Sequence, residues 1–175
     1  NGLINGDDGG KTGYVASVTI TSGYKGAIYV IVEDISDAPN YVDEMTGRQT
    51  DLSVNVLRGM ASIEELADQI KDGVVYIAVT PFTELAMRKA LGDDGLTAAP
   101  EKLLLNGKHE GDINTAMDAI AQLLSADKNN PVDLQANPLT SPAYNDLLKA
   151  LSAAELANGA TTAEVIKILA DGIAV

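Results

Sequence analysis

Acidic pairs set beside glycines and turn formers are the residues best placed for chemistry. Asp7-Asp8 stands in NGDDGG, Asp43-Glu44 in YVDEMTG and Asp93-Asp94 in LGDDGL. Calcium takes about six to eight oxygens, several of them from carboxylates and main-chain carbonyls, so Asp and Gly in one loop suit it. Asp37, Asp43, Glu44 and Asp51 share one polar, turn-rich stretch and form the candidate calcium-ligating set. None of the pairs completes the alternating acids, glycine and closing Glu of a full calcium loop. On so acidic a surface, Asp and Gly equally serve as turns and helix caps. Tyr41 lies next to Asp43 and Glu44. An aromatic face beside carboxylates grips sugars, and an open strand edge grips peptides, so Tyr41, Asp43 and Glu44 are the candidate ligand-binding residues. A tyrosine half-buried on a sheet with a wet hydroxyl would carry the same signature.

Other chemistries find little footing. His109 is the one histidine, in NGKHEGD, which reads as an exposed turn before a helix. A lone histidine needs a positioned nucleophile and an orienting acid to act. The chain has no cysteine, which excludes disulfides, thiolate catalysis and thiolate zinc sites. GGKT near the start echoes a phosphate loop, but its glycine spacing is wrong and a β segment follows where a helix should open. No Ser or Thr has a nucleophile-elbow context. The expectation is a non-enzyme with no catalytic residues. With 25 acids against 12 bases the net charge is −13, which disfavours nucleic acid and anionic lipid. No apolar run is long enough to span a bilayer, so membrane insertion is not expected. No initiator Met opens the chain, so it reads as a module of something longer.

The elements that must position these residues divide near residue 80. Before it, β signals dominate: YVASVTIT (14–21), a turn at SGYKG (22–26), AIYVIVED (27–34), TDLSVNVLRGM (50–60) and VVYIAVT (74–80). Residues 27–34 are nearly all apolar, as in a strand buried on both faces, and 50–60 alternates Leu52, Val54 and Val56 against polar neighbours. Met45-Thr46-Gly47-Arg48 reads as a hairpin tip, with Gly47 supplying positive φ. ASIEELADQIKDG (61–73) reads as a helix capped by Ser62 and stopped at Gly73.

After residue 80 the pattern is helical. Thr80 caps and Pro81 opens a helix with Phe82, Leu85, Ala86 and Lys89 on one face, ended by Gly92. Residues 111–127 stripe Ile113, Met117, Ile120 and Leu124. Residues 141–159 group Tyr144, Leu147, Leu148 and Leu151, and Gly159 stops them. Residues 161–175 open on Thr161 or Thr162 and carry Val165, Ile168 and Leu169. Each helix has one apolar face that must be covered. Glu64, Glu65, Asp68 and Lys71, like Arg88 and Lys89, read as solvated faces.

YKGAIYVIVED, NYVDEMTGRQTDLSVNVLRGM and IAVTPFTELAMRKAL, in that order, resemble a module of very large exported bacterial surface proteins and adhesins. INTAMDAIAQLLSADKNNPVDL and SPAYNDLLKALSAAELANGATTAEVIKILADGI resemble its helical half. The resemblance runs from about Tyr24 onward and departs at the N-terminus, where a complete first strand is not evident before Gly13; a preceding module or another copy could supply it. It implies a transthyretin-like or carboxypeptidase-regulatory-like β part whose last strand leads through a TP-T-E-L-A segment into helices. It also implies an extracellular location and no catalytic set; many modules of this kind need calcium, the one cofactor it suggests.

The expected fold is α+β. Residues 1–12 are a linker or partial strand, 13–80 a small antiparallel β-sandwich, and 81–175 a bundle of about four helices packed on it as one compact unit. The expected role is a non-catalytic ligand-binding or adhesion module with a sugar or peptide ligand and the neighbouring modules of its own chain as partners. A structural spacer without ligand, and an accessory domain of a secreted polysaccharide-degrading enzyme, are the alternatives.

Overall fold

The computed structural model describes residues 27–33, 39, 41–42, 45–50, 56–62, 77–96, 108–136 and 140–172. Their elements run β1 (Ala27–Glu33), β2 (Tyr41–Val42), β3 (Gln49–Thr50), β4 (Val56–Ser62), α1 (Pro81–Leu96), α2 (Lys108–Leu124), α3 (Pro142–Asn158) and α4 (Thr162–Gly172). The strand expected over 14–21, the turn at 22–26, residues 51–55 and 74–76 of two further expected strands, and residues 63–73 of the helix expected over 61–73 lie outside the described residues; Ala61 and Ser62, expected to open that helix, instead end β4.

β1 and β4 form a two-stranded antiparallel ribbon, in which Tyr29 opposes Met60, Val30 opposes Gly59 and Ile31 opposes Arg58. β2 and β3 pair as a separate short hairpin, Tyr41 with Thr50 and Val42 with Gln49. Its tip is the expected one: a turn at Met45-Thr46, then Gly47 at φ 65°. A non-glycine residue would be strained there.

The expected β-sandwich is not what forms. The described residues are mostly helical, and their strands make one two-stranded ribbon and one two-residue pair. The reason lies in what covers the ribbon. A sandwich needs a second sheet, whereas here the covering layer is α1. Every residue from Thr80 to Met87 is buried, so the start of α1 is enclosed on all sides as a central helix is. Phe82, Leu85, Ala86 and Met87 anchor a core completed largely by α2, α3 and α4, and the ribbon adds Ala27 and Met60. Each large side chain enclosed this way contributes about 1.5–3 kcal/mol. The helical half of the expectation is the part that stands.

Several details follow the sequence and several depart from it. Ile77–Val79, expected to end a strand, makes no ladder among the described residues. It runs over β4, where a Cβ on Gly59 would collide with the Ala78 carbonyl oxygen and meet Val79 Cγ2 at 3.2 Å. β1 is not buried on both faces: Ile31 and Val32 are 39% and 37% exposed. α2 buries Ile113, Met117 and Ile120 as its stripe requires. α3 starts at an N-cap, Ser141, whose side chain accepts from the Tyr144 N–H, and ends at Gly159 in a left-handed cap. α4 opens on Thr161 in a capping box. The Thr161 hydroxyl accepts from the Glu164 N–H at 3.2 Å, and Glu164 Oε2 accepts from the Thr161 N–H at 2.8 Å. The Thr161 N–H and, at 3.0 Å, the Thr161 hydroxyl both donate to Glu164 Oε2 and hold this exposed carboxyl below its ordinary value. The apolar stripe of α4 turns differently from expectation. Ile166 faces the core with Val165 and Leu169 partly buried beside it, and Ile168 is 66% exposed. At Gly92 α1 leaves helical geometry (φ 64°, ψ 175°) before a last helical stretch to Leu96.

The close crossing at Gly59 generates a paired expectation. Gly59→Ala forces a methyl group into the Ala78 main chain and should lower stability by about 1–3 kcal/mol. Gly111→Ala, in α2 with nothing within 4 Å of its new Cβ, should leave stability unchanged or raise it by up to about 1 kcal/mol. Chemical denaturation of the two variants checks the opposite signs.

Candidate functional site

The junction between ribbon and helices is built from α1's first two turns. The Thr80 N–H donates to Thr83 Oγ1 at 2.8 Å, and the Thr83 N–H returns to Thr80 Oγ1 at 3.3 Å. The two threonines thus satisfy N–H groups that a helix start leaves open. Pro81 occupies the first helical position, where a missing N–H costs nothing. The Thr83 hydroxyl also reaches the Arg58 carbonyl at 2.8 Å, which ties α1 to the main chain of β4. Thr80 Oγ1 and the Tyr144 hydroxyl are 2.5 Å apart, and the Tyr144 ring tilts against Phe82 with centroids 6.2 Å apart. Burial pushes the Tyr144 hydroxyl's pKa well up, so it stays protonated.

Glu84 lies at the centre of this junction with no solvent exposure. Its Oε1 accepts from Arg58 Nη1 at 2.7 Å and from Arg88 Nε at 2.9 Å. Among the described residues its Oε2 has no hydrogen-bond partner. Arg58 comes from β4, and Arg88 sits one helical turn beyond Glu84 on α1, the spacing at which helix side chains meet. Tyr29, opposite Met60 on β1, lies near this cluster, within the electrostatic reach of Arg58 and Glu84. Burial raises the Glu84 carboxyl above its ordinary value, while Arg58 and then Arg88 pull it back. Tyr29 is likewise raised by burial against the pull of Arg58. Counted over the described residues, two guanidiniums against one carboxylate leave the cluster a surplus positive charge in a chain of net charge −13.

The residues singled out by sequence fall elsewhere. Tyr41 sits in β2 opposite Thr50. Asp37, Asp43, Glu44 and Asp51, with Asp7 and Asp8, lie outside the described residues, so their proposed meeting with Tyr41 or with calcium does too. Asp93 and Asp94 follow the Gly92 kink in helical main chain rather than in a loop. His109 is in the first turn of α2, not in a turn before it. Among the described residues no three His, Asp or Glu side chains come together as a metal group, and no helix is long and apolar enough to cross a membrane.

Glu84 and Arg58 were not among the sequence candidates, and Arg88 and Lys89 do not form a solvated face. Arg88 binds Glu84, and Lys89 Nζ donates to the Ala170 carbonyl at 2.8 Å, serving the last turn of α4. The available signal was an acid enclosed by apolar residues in TPFTELAM with an arginine four positions on.

Removing one partner of a buried ion pair strands the other, so Arg58→Met should destabilise by about 3 kcal/mol and the more exposed Arg88→Met by less. The pH dependence has a defined sign. Because folding raises the Glu84 pKa, its contribution is complete below the unfolded value, 4.5, and is lost as pH rises through the folded value. The stability advantage of wild type over Glu84→Gln should therefore shrink as pH rises from 4.5. Paired urea titrations across pH read this directly, and a growing advantage would contradict it.

No protein-family model matches the sequence, no curated protein is significantly similar to it, and no solved structure matches the chain. The likeness to bacterial surface-protein modules therefore stands on its quoted phrases alone.

Proposed function

We propose that this chain is a non-catalytic ligand-binding or adhesion module of a large exported bacterial surface protein, and that the 41–50 hairpin faces its sugar or peptide ligand. The hairpin tip carries this reading. Residues 45–48 are exposed, Met45 is 52% exposed, and the tip is shaped by Gly47 and by the Arg48 N–H bonded to Thr46 Oγ1 at 3.3 Å. An apolar side chain on a turn-fixed tip beside a cation offers contact area at little ordering cost. The sequence places acids and Tyr41 around the same hairpin.

A spacer role in the same kind of protein is the second reading, favoured by one observation. The cluster of Arg58, Glu84 and Arg88 is held within the fold, as suits a module whose task is to stay rigid.

A glycan and peptide array, run with millimolar calcium and with chelator, separates the two. Binding that falls in Met45→Ser with Arg48→Ala supports the ligand reading, and silence in both conditions leaves the spacer. Calcium has its own readout. A native-state site among Asp37, Asp43, Glu44 and Asp51 should raise the melting temperature as calcium is added, with the rise abolished in Asp43→Asn with Glu44→Gln. An unchanged melting curve would sink it.

A further inference from the structure

The geometry points to an oxyanion-binding site at the ribbon–helix junction, formed by the Arg58 and Arg88 guanidiniums beside Tyr29 and preorganised by Glu84. This site is separate from the 41–50 hairpin and does not rest on the hairpin binding anything.

Both guanidiniums bond the same carboxylate oxygen, at 2.7 and 2.9 Å, so they are fixed side by side. An arginine carries five N–H donors in a rigid fork. Arg88 spends Nε on Glu84. Arg58 spends Nη1 on Glu84. Among the described residues no further partner meets the donors that remain. The arginine side chains are 15% and 28% exposed, whereas that of Glu84 is 0% exposed. An incoming group therefore meets the cations and not the acid. Glu84 cancels one of the two charges and leaves one for a ligand.

The matching chemistry is an oxyanion, a carboxylate or sulfate, which accepts paired N–H bonds from a guanidinium fork. Such a group is carried by acidic sugars and by acidic peptide side chains alike. Tyr29, on the adjacent β1 and partly buried against the core, flanks the arginines.

The test follows the Arg58 and Arg88 Nε–Hε signals by NMR while sulfate, glucuronate or N-acetylglutamate is added at constant ionic strength. Saturable shifts at Arg88 are expected. A preference for glucuronate assigns a sugar source and a preference for N-acetylglutamate a peptide source. Losing one charged bond should weaken binding by about tenfold or more in Arg88→Gln. Arg88→Lys, which keeps the charge and loses the fork, should recover only part of it. Shifts that grow linearly without saturation, or binding equal in wild type and Arg88→Gln, would overturn the site. Should Arg88→Gln not fold, the presence or absence of saturation at the wild-type Arg88 signal decides. A silent glycan and peptide array alongside saturable NMR shifts would count against the hairpin reading and leave this one intact.

Discussion

A carboxylate with no access to water is the constraint around which this structure is arranged. Stripping an ionised group of solvent costs on the order of several kcal/mol, and only partners of opposite charge in good geometry offset it. Glu84 is in that position because α1 is enclosed on all sides at its start. One arginine comes from its own helix and the other must come from outside, which brings β4 to within hydrogen-bonding distance. The ribbon is thereby held to the helix through a side-chain ion pair and through Thr83 on the Arg58 carbonyl. Once β4 is fixed, Gly59 must be bare, because Ala78 crosses there on its way into α1.

The same enclosure explains why a helix layer replaces a second sheet. Thr80 and Thr83 start α1 without a loop, so the chain passes from its extended run over β4 directly into the core. Tyr144 then closes the junction from the side of α3, contributing a ring against Phe82 and a hydroxyl for Thr80. Its polar tip would be costly in an apolar interior without that partner. Gln135 donates to the Met60 carbonyl from the loop after α2, tying β4 to the bundle a second time. Among the described residues, ribbon and helices thus contribute to one core cluster.

Much of the helical half was legible because a helix writes its burial at a period near 3.6 residues. Ile113, Met117 and Ile120, and Tyr144, Leu148 and Leu151, are buried as that period requires, and the caps at Thr80, Ser141, Thr161 and Gly159 are local chemistry. Ile168 misled because Val165, Ile166, Ile168 and Leu169 are all apolar and composition alone does not choose among them. The strands were harder to place. Alternation at Leu52, Val54 and Val56 says that a strand has two faces, but not how many strands join it or what covers them. A non-local partner decides that, here α1. Glu84 was only half readable for the same reason: Arg88 stands four residues away in sequence, but Arg58, 26 residues away, is a non-local partner.

The division between buried and exposed charge bears on what such a module can do. Charge inside the junction is organised, directional and rigid, while the rest of the chain carries a large negative excess that repels anions at long range. A surplus guanidinium within that field attracts an anion only at short distance, where paired hydrogen bonds outweigh repulsion that salt screens over roughly a Debye length, about 8 Å at physiological ionic strength. Recognition would then be selective for anions able to accept from two forks at once and weak toward simple ions. The hairpin tip, in the role proposed for it, would work by the opposite logic, with little charge organisation and an exposed Met45. Two such surfaces on one chain could engage one extended acidic ligand together only if the ligand spans both. Each would otherwise act alone, with no gain in effective concentration from the other.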